Sequence, residues 1–159
     1  MPPVPDPSSP TTPTRSVAII GLGYVGLPLA LALARAELGR IVGFDSNPRR
    51  IAELTAGHDR TGEAAPADLA AVLADRSLTV GDDAAILADA DIFIVTVPTP
   101  VDATNQPDLR PLEAACRSIG GALARRDGGP TPVVVFESTV YPGVTEDICG
   151  PLIAAASGK

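Results

Sequence analysis

A glycine-rich turn between two apolar stretches of different length constrains the fold more than any other feature of the sequence. Residues 17–20 form a short apolar run typical of a buried strand, and residues 24–38 are Leu- and Ala-rich and long enough for a helix. The turn between them reads Gly21-Leu-Gly-Tyr-Val-Gly26, which matches the pattern G-x-G-x-x-G. This arrangement is typical of a β-α-β unit, so it predicts a parallel sheet covered by helices.

The same alternation of strand and helix patterns continues along the rest of the chain. Further strands are predicted at residues 40–45, 78–80, 91–97 and 132–136. Helices are predicted at residues 48–56, at 67–74, from Asp82 or Asp83 to Leu87, from Asp108 to a break at 128–130, and at 145–156. Because right-handed crossovers join parallel strands, this succession predicts a doubly wound, Rossmann-type α/β sheet with strand order 3-2-1-4-5.

Length and composition fit a single globular domain. The chain has 159 residues, of which 45% are hydrophobic and 19% are charged, so disorder as its general state is excluded. Residues 1–14 are dominated by Pro, Thr and Ser, and we expect a disordered tail there, ahead of a folded domain at residues 15–159. The net charge of −7 argues against binding to nucleic acid or to an anionic membrane.

One uncharged run and the two cysteines indicate in which cellular compartment the protein is found. Residues 16–34 could cross a bilayer by length, but three glycines and Pro28 interrupt the run and it opens as a strand, so neither a membrane span nor a secretory signal is predicted. Cys116 and Cys149 make no disulfide framework and no zinc site, which predicts a reducing, cytoplasmic compartment and no metal. Cys116 lies on the apolar stripe of its helix and is expected in the core. His58, in a polar loop, is expected at the surface.

Each glycine of the turn has a physical role in a dinucleotide site. Gly21 permits the tight turn, Gly23 lets a pyrophosphate approach the backbone, and Gly26 allows the helix to pack closely on the strand. The N-terminus of the helix then offers unpaired N–H groups and a positive dipole end to the phosphates. The motif alone also fits a flavin site, or a helix–sheet junction that merely needs small residues.

An acidic residue at the end of the second strand completes the pattern. Asp45 lies 19 residues after Gly26, the spacing at which a carboxylate accepts a hydrogen bond from the ribose 2′-OH. Its charge would repel a 2′-phosphate, so NAD is favoured over NADP. Arg49 and Arg50 make that preference less sharp, because they are near enough to meet a phosphate.

Two further loops are predicted at the same edge of the sheet. In an open α/β sheet the ligand lies beyond the carboxyl ends of the strands, where the strand order reverses. The loops at 97–100 and 137–143 follow the fourth and fifth strands and should face the nicotinamide half of the cofactor. Thr99, Ser138 and Thr139 offer hydroxyls there, although Pro, Ser and Thr are also common wherever strands end.

Four blocks of the sequence resemble the UDP-glucose/GDP-mannose dehydrogenase family. They are residues 17–28, 43–45, 97–100 and 137–143, which occur in the family's order. The stretch Asn105-Gln-Pro-Asp-Leu109 and the loop at 57–63 are most similar to the bacterial branch that acts on UDP-N-acetylglucosamine or UDP-N-acetylgalactosamine.

The resemblance implies NAD-dependent oxidation of the C6 alcohol of a UDP-sugar to a carboxylate, in two hydride transfers, for surface polysaccharide precursors. It implies a full-length homo-oligomer. It also assigns cofactor contacts, some of which the spacing already predicted. These are Gly21, Leu22, Gly23, Tyr24, Val25, Gly26, Asp45, Arg50, Val97, Pro98, Thr99, Ser138 and Thr139.

The resemblance places only a supporting catalytic residue in this chain. Thr139 matches a threonine that helps to organise the reacting centre through water and a lysine located elsewhere. The family's nucleophilic cysteine, which forms a thiohemiacetal and then a thioester, belongs to a Gly-rich downstream segment. We therefore expect substrate and catalytic domains outside this chain, which would bind NAD without turnover by itself.

Two other functions fit the sequence less well. One is an NAD-dependent dehydrogenase of the 6-phosphogluconate or hydroxyacid type, which the blocks at 97–100 and 137–143 disfavour. The other is a stand-alone NAD-binding module without catalysis.

Overall fold

The computed structural model describes residues 15–101 and 106–159. The predicted tail at 1–14 and Asn105 of the segment at 105–109 lie outside the described residues. The strands are β1 (Ser16–Ile20), β2 (Arg40–Phe44), β3 (Leu78–Gly81), β4 (Ile92–Val95) and β5 (Val133–Phe136). The helices are α1 (Gly26–Arg35), α2 (Pro48–Thr55), α3 (Pro66–Ala74), α4 (Arg110–Ala124) and α5 (Gly150–Ser157), with a 3₁₀ turn at Ala84–Leu87 and a π-helical turn at Thr145–Cys149.

The five strands form one parallel sheet in the order β3-β2-β1-β4-β5, which confirms the predicted topology. β1 is the central strand, and Val17 lies opposite Ile41 of β2 and Ile92 of β4. All five of its residues are buried, as expected for a strand covered on both faces.

Each face of the sheet has its own core. On one face, Ile19 and Ile41 pack with Leu27 of α1 and Leu69 of α3. On the other face, Ala18 and Phe93 pack with α4 and α5 in a second cluster, which includes Cys116. Cys116 is fully buried, as its place on the apolar stripe predicted.

Several elements are shorter or differently wound than predicted. α1 begins at Gly26 rather than at residue 24, because Tyr24 and Val25 belong to the turn. The helix predicted from Asp82 or Asp83 is a single 3₁₀ turn, where Asp83 Oδ1 accepts from the Ala85 N–H at 2.8 Å. The predicted last helix divides into a π turn and α5, because Pro151 has no N–H to donate to the regular series of α-helical backbone hydrogen bonds. None of the helices within the described residues is long and apolar enough to span a bilayer.

Candidate functional site

A cleft of about 730 Å³ opens where β1, β2, β4 and β5 end. It lies across the point between β1 and β4 where the strand order reverses, as expected for an open α/β sheet. Among its lining residues are twelve of the thirteen predicted cofactor contacts: Gly21, Leu22, Gly23, Tyr24, Val25, Asp45, Arg50, Val97, Pro98, Thr99, Ser138 and Thr139. Gly26 is the exception, because it lies behind the turn, where α1 meets the sheet.

The three glycines differ in what surrounds them. Gly21 has a φ of +95°, a conformation that favours glycine, and its N–H donates to the Phe44 carbonyl oxygen at 2.8 Å. A Cβ at Gly26 would overlap the Gly21 carbonyl oxygen and come within 2.5 Å of Thr96 Oγ1. A Cβ at Gly23 would meet no atom within 4 Å. The turn therefore needs Gly21 and Gly26 for its own geometry, whereas Gly23 keeps the approach to the backbone open.

The start of α1 fits a phosphate-bearing ligand. No side chain caps this helix, whose N-cap residue is Val25, and its first turn carries no acidic residue. Uncapped N–H groups and the positive end of the helix dipole favour an anion at this position. The open backbone at Gly23 borders the same space, so the residues present can accept a pyrophosphate.

Leu22 is held in place by two side chains from the β2–α2 region. Asp45 Oδ2 accepts from the Leu22 N–H at 2.9 Å, and Arg50 Nε donates to the Leu22 carbonyl oxygen at 2.8 Å. Asp45 Oδ1 accepts from the Asn47 N–H at 2.9 Å. Each carboxylate oxygen has a further lone pair, so Asp45 can still accept from a ribose hydroxyl.

Asp59 is a contributor to the site that sequence reasoning missed. The side chain of Arg50 is 3% exposed, and its Nη2 lies 2.7 Å from Asp59 Oδ1 in a buried ion pair. Arg50 is therefore a paired cation rather than one free to meet a phosphate. The only signal in the sequence is the polar loop that contains Asp59, which indicates a surface loop and resembles the bacterial branch but predicts no role for Asp59 itself.

The loop after α2 holds the Asp59 carboxylate in its ionised form. Burial alone would raise the pKa of Asp59, but hydrogen bonds from the Thr61 hydroxyl and Arg50, and from backbone N–H groups, hold it well below the usual range. The backbone donors belong to Thr61, Glu63 and Ala64, at 2.9–3.1 Å. A carboxylate with this many donors stays charged at any physiological pH.

Hydroxyl groups join the two loops at the other end of the cleft. Thr99 Oγ1 donates to the Thr139 carbonyl oxygen at 2.7 Å, and Ser138 Oγ donates to the Val97 carbonyl oxygen at 2.6 Å. These bonds fix the loops after β4 and β5 relative to each other. Both hydroxyl oxygens keep lone pairs that can accept from a ligand.

Thr96 is a second residue that sequence reasoning missed. It was predicted only as part of the fourth strand, yet it follows β4 and its hydroxyl donates to the Gly21 carbonyl oxygen at 2.7 Å. Its backbone N–H donates to the Ile20 carbonyl oxygen at 2.9 Å. Thr96 therefore ties the end of β4 to the glycine turn.

No side chain described in the lining of the cleft is a cysteine or a lysine. Burial and the neighbouring Cys149 raise the pKa of Cys116 to about 12, and burial raises the pKa of Cys149, so neither thiol has nucleophilic character. The Lys159 ammonium donates to the carbonyl oxygens of Leu123 and Arg126 at the end of α4. In residues 15–101 and 106–159, no group of three or more His, Cys, Asp or Glu side chains could hold a metal ion.

Comparison with known proteins identifies the family. Residues 15–159 match the model of the NAD-binding domain of the UDP-glucose/GDP-mannose dehydrogenase family. The chain belongs to this family. As its NAD-binding domain, the chain has NAD as its cofactor, in agreement with the glycine turn and Asp45.

Two named bacterial proteins are similar to this chain over most of its length. UDP-N-acetyl-D-glucosamine 6-dehydrogenase of Pseudomonas aeruginosa is 46% identical over 142 residues, which cover 89% of this chain and 31% of that protein. Protein CapL of Staphylococcus aureus is 40% identical over 144 residues, which cover 91% of this chain and 31% of that protein. This NAD-binding domain thus spans about a third of the length of these relatives.

Solved structures of the family share the fold. UDP-glucose dehydrogenase of Pyrobaculum islandicum matches with a TM-score of 0.82 and 32% identity, covering 99% of this chain and 35% of that chain. A ternary complex of GDP-mannose dehydrogenase from Pseudomonas aeruginosa matches with a TM-score of 0.80 and 31% identity, covering 90% of this chain and 33% of that chain. Lactate dehydrogenase of Eimeria maxima, at 20% identity and a TM-score of 0.57, shares the fold alone.

Proposed function

We propose that this chain is the cofactor domain of a nucleotide-sugar 6-dehydrogenase that oxidises the C6 alcohol of a UDP-N-acetylhexosamine to a carboxylate. The names of the similar proteins from Pseudomonas aeruginosa and Salmonella typhi, both UDP-N-acetyl-D-glucosamine 6-dehydrogenases, support this substrate class. The observation that carries the proposal is the cleft itself, in which an open glycine turn, the Asp45 carboxylate and two hydroxyl-bearing loops border one space.

Three groups of residues would hold NAD in this cleft. The glycine turn and the start of α1 would bind the pyrophosphate, and Asp45, with Arg50 behind it, would bind the adenosine ribose. The loops after β4 and β5 would border the nicotinamide half through Val97, Pro98, Thr99, Ser138 and Thr139. NAD, when bound, supplies the acceptor for the hydride that leaves the sugar carbon.

The chain's own residues bind and orient the cofactor rather than attack the sugar. We propose that Thr139, exposed at the rim of the cleft, supports the reacting centre through its hydroxyl. The nucleophilic thiol and the lysine would come from further protein, because the lining described here has neither. Without them the chain would bind NAD and turn over no UDP-sugar.

The remaining functional expectations are proposals about the whole protein. We propose that the UDP-sugar binds mainly through protein outside this chain and that the full-length enzyme is a homo-oligomer that supplies surface polysaccharide precursors. Two buried, unbridged thiols fit a reducing compartment, for which we propose the cytoplasm.

Titration of the 159-residue chain with NADH and NADPH, followed by calorimetry, tests the cofactor role. We expect saturable binding that prefers NADH, because Asp45 repels a 2′-phosphate. Absence of binding to a chain that circular dichroism shows to be folded would overturn the proposal. The substrate class is tested separately, by supplying the full-length protein with UDP-N-acetylglucosamine, UDP-N-acetylgalactosamine or UDP-glucose and following NADH formation.

The substitution Asp45→Ala tests the ribose contact. We expect NADH binding to weaken by roughly tenfold or more, because a hydrogen bond to a charged group contributes about 1.5–3 kcal/mol. The ratio of the Kd for NADPH to the Kd for NADH should fall at the same time. Asp83→Ala is the matched control, since it also removes a carboxylate that caps a turn but lies outside the cleft. Unchanged affinity for both dinucleotides in Asp45→Ala would remove this residue from the ribose site.

A further inference from the structure

A buried cation lies in the wall of the cleft beside the proposed ribose acceptor. Arg50 and Asp45 bind the two backbone groups of one residue, since Arg50 Nε reaches the Leu22 carbonyl oxygen and Asp45 Oδ2 the Leu22 N–H. The guanidinium therefore lies at the adenosine end of the cleft. An unpaired guanidinium at this position would attract a 2′-phosphate, so what neutralises it matters for cofactor selectivity.

Asp59 is the carboxylate that neutralises Arg50. Its Oδ1 lies 2.7 Å from Arg50 Nη2, and the two side chains are 1% and 3% exposed. Glu53 is a weaker neighbour, because its Oε2 lies 3.8 Å from Arg50 Nη1 and makes no hydrogen bond to it. Glu53 instead accepts from Arg60, a second cation of the cleft lining, at 3.2 Å.

Groups other than Arg50 also hold the Asp59 carboxylate in place. The Thr61 hydroxyl, 2.7 Å from Oδ1, and the backbone N–H groups of Thr61, Glu63 and Ala64 surround the carboxylate. The loop thus presents a fixed anion to the guanidinium. With Arg50 paired in this way, the Asp45 carboxylate presents a negative charge next to the glycine turn.

We propose that Asp59 is a positioning residue that sets dinucleotide selectivity: by pairing with Arg50 it keeps the guanidinium from binding a 2′-phosphate, so that the cleft favours NADH over NADPH. This inference rests on the proposed function, namely that the cleft binds a dinucleotide. Asp59 would thus be a second determinant of dinucleotide selectivity besides Asp45, and it would act without contacting the cofactor.

The substitution Asp59→Asn tests the inference, because it removes the charge and keeps the size and an acceptor oxygen. We expect the ratio of the Kd for NADPH to the Kd for NADH to fall by roughly fivefold or more, through tighter NADPH binding that weakens again at high salt. A purely structural role would weaken both dinucleotides alike. An unchanged ratio in a folded Asp59→Asn chain would overturn the inference.

The substitution Arg50→Gln gives an independent test with the opposite sign. It leaves the Asp59 and Asp45 charges without the cation, so the same ratio should rise. If breaking the pair merely loosened the turn, both single variants would weaken NADH and NADPH binding alike and leave the ratio unchanged, which would contradict the inference. In the double variant Arg50→Gln/Asp59→Asn, which replaces the pair by neutral groups, the ratio should return towards that of the unaltered chain.

A surface ion pair provides the control for net charge. Asp68 pairs with Arg35 outside the cleft, and Asp68→Asn removes the same charge as Asp59→Asn. The ratio should not change in this control. The results distinguish failure of the proposed function from failure of the role of Asp59. A folded, unaltered chain that binds neither NADH nor NADPH would overturn both proposals. NADH-selective binding in which neither Asp59→Asn nor Arg50→Gln changes the ratio of the two Kd values would overturn the role of Asp59 alone.

Discussion

Leu22 shows how the glycine turn is shaped before any ligand arrives. Its N–H and carbonyl groups are bound by Asp45 and Arg50, and its fully buried side chain packs against Gly43 of β2. A Cβ at Gly43 would come within 2.9 Å of Leu22 Cδ2. A turn that is fixed on all sides loses little conformational entropy on binding, which favours affinity.

Gly23 offers a direct test of the phosphate approach. We expect Gly23→Val to abolish NADH binding, because the side chain would fill the space left for the pyrophosphate. The free energy of unfolding should change by less than about 1 kcal/mol, since an added Cβ meets no atom within 4 Å. Calorimetric titration and urea unfolding measure the two effects.

Gly121→Val is the matched control for this substitution. Gly121 lies on α4, outside the cleft, and a Cβ there also meets no atom within 4 Å. The control should bind NADH as the unaltered chain does. Normal NADH affinity in Gly23→Val would show that the pyrophosphate does not pass over this turn.

The two thiols should be unreactive in the folded chain. Burial and the neighbouring Cys149 raise the pKa of Cys116 to about 12, and burial also raises the pKa of Cys149, so little thiolate forms at about pH 8. Ellman's reagent should label neither thiol until urea unfolds the chain. A cysteine placed on the exposed face of α3, by Ala70→Cys, should react at once. Rapid labelling of the unaltered folded chain would contradict this prediction.

At the scale of elements, Thr96 joins β4, β1 and the glycine turn. We expect Thr96→Val to lower the free energy of unfolding by about 1 kcal/mol, because it removes the hydrogen bond to the Gly21 carbonyl oxygen while keeping the shape. NADH binding should weaken as the turn loosens. Thr79→Val on the exposed side of β3 is the control and should change neither quantity appreciably. Equal urea midpoints for the unaltered chain and Thr96→Val would refute the prediction.

Element types and order were more predictable than element ends. Hydrophobic periodicity and glycine breaks located all five strands, and the handedness of crossovers then allowed few strand orders. The ends depend on local hydrogen bonding that periodicity does not record. Pro151 illustrates this point, since its missing N–H divides the last predicted helix into a π turn and α5.

For the whole molecule, acid should weaken the fold. The pKa of Asp91 is lowered by hydrogen bonds from Arg126 and from the Ser16 N–H, and the Arg110 guanidinium lowers the pKa of Asp108 to about 2. The pKa of Asp59 is lowered as well. A carboxylate with a folded-state pKa below its unfolded value near 4 stabilises the fold above that value and ceases to do so as the pH falls through the folded pKa.

We therefore expect the free energy of unfolding to fall progressively from about pH 5 to about pH 2. Urea unfolding at a series of pH values measures this dependence. Asp91→Asn should be less stable at neutral pH and should show a shallower slope, because one carboxylate with a lowered pKa is gone. A slope identical to that of the unaltered chain would show that Asp91 does not contribute to the pH dependence.

The sequence by itself was sufficient for the strand order, the family and the place of the cleft. The strand order and the place of the cleft depend on local features: the apolar periods of single elements, the spacing of Gly21, Gly23 and Gly26, and the acidic residue that follows β2. The family follows from the four blocks of sequence that resemble it. Only the tertiary structure decided that Arg50 is a paired cation and that Thr96 secures the turn. Asp59 lies nine residues from Arg50, and Thr96 lies 75 residues from Gly21. Whether such side chains come within hydrogen-bond distance depends on how the elements pack, and no local pattern records that.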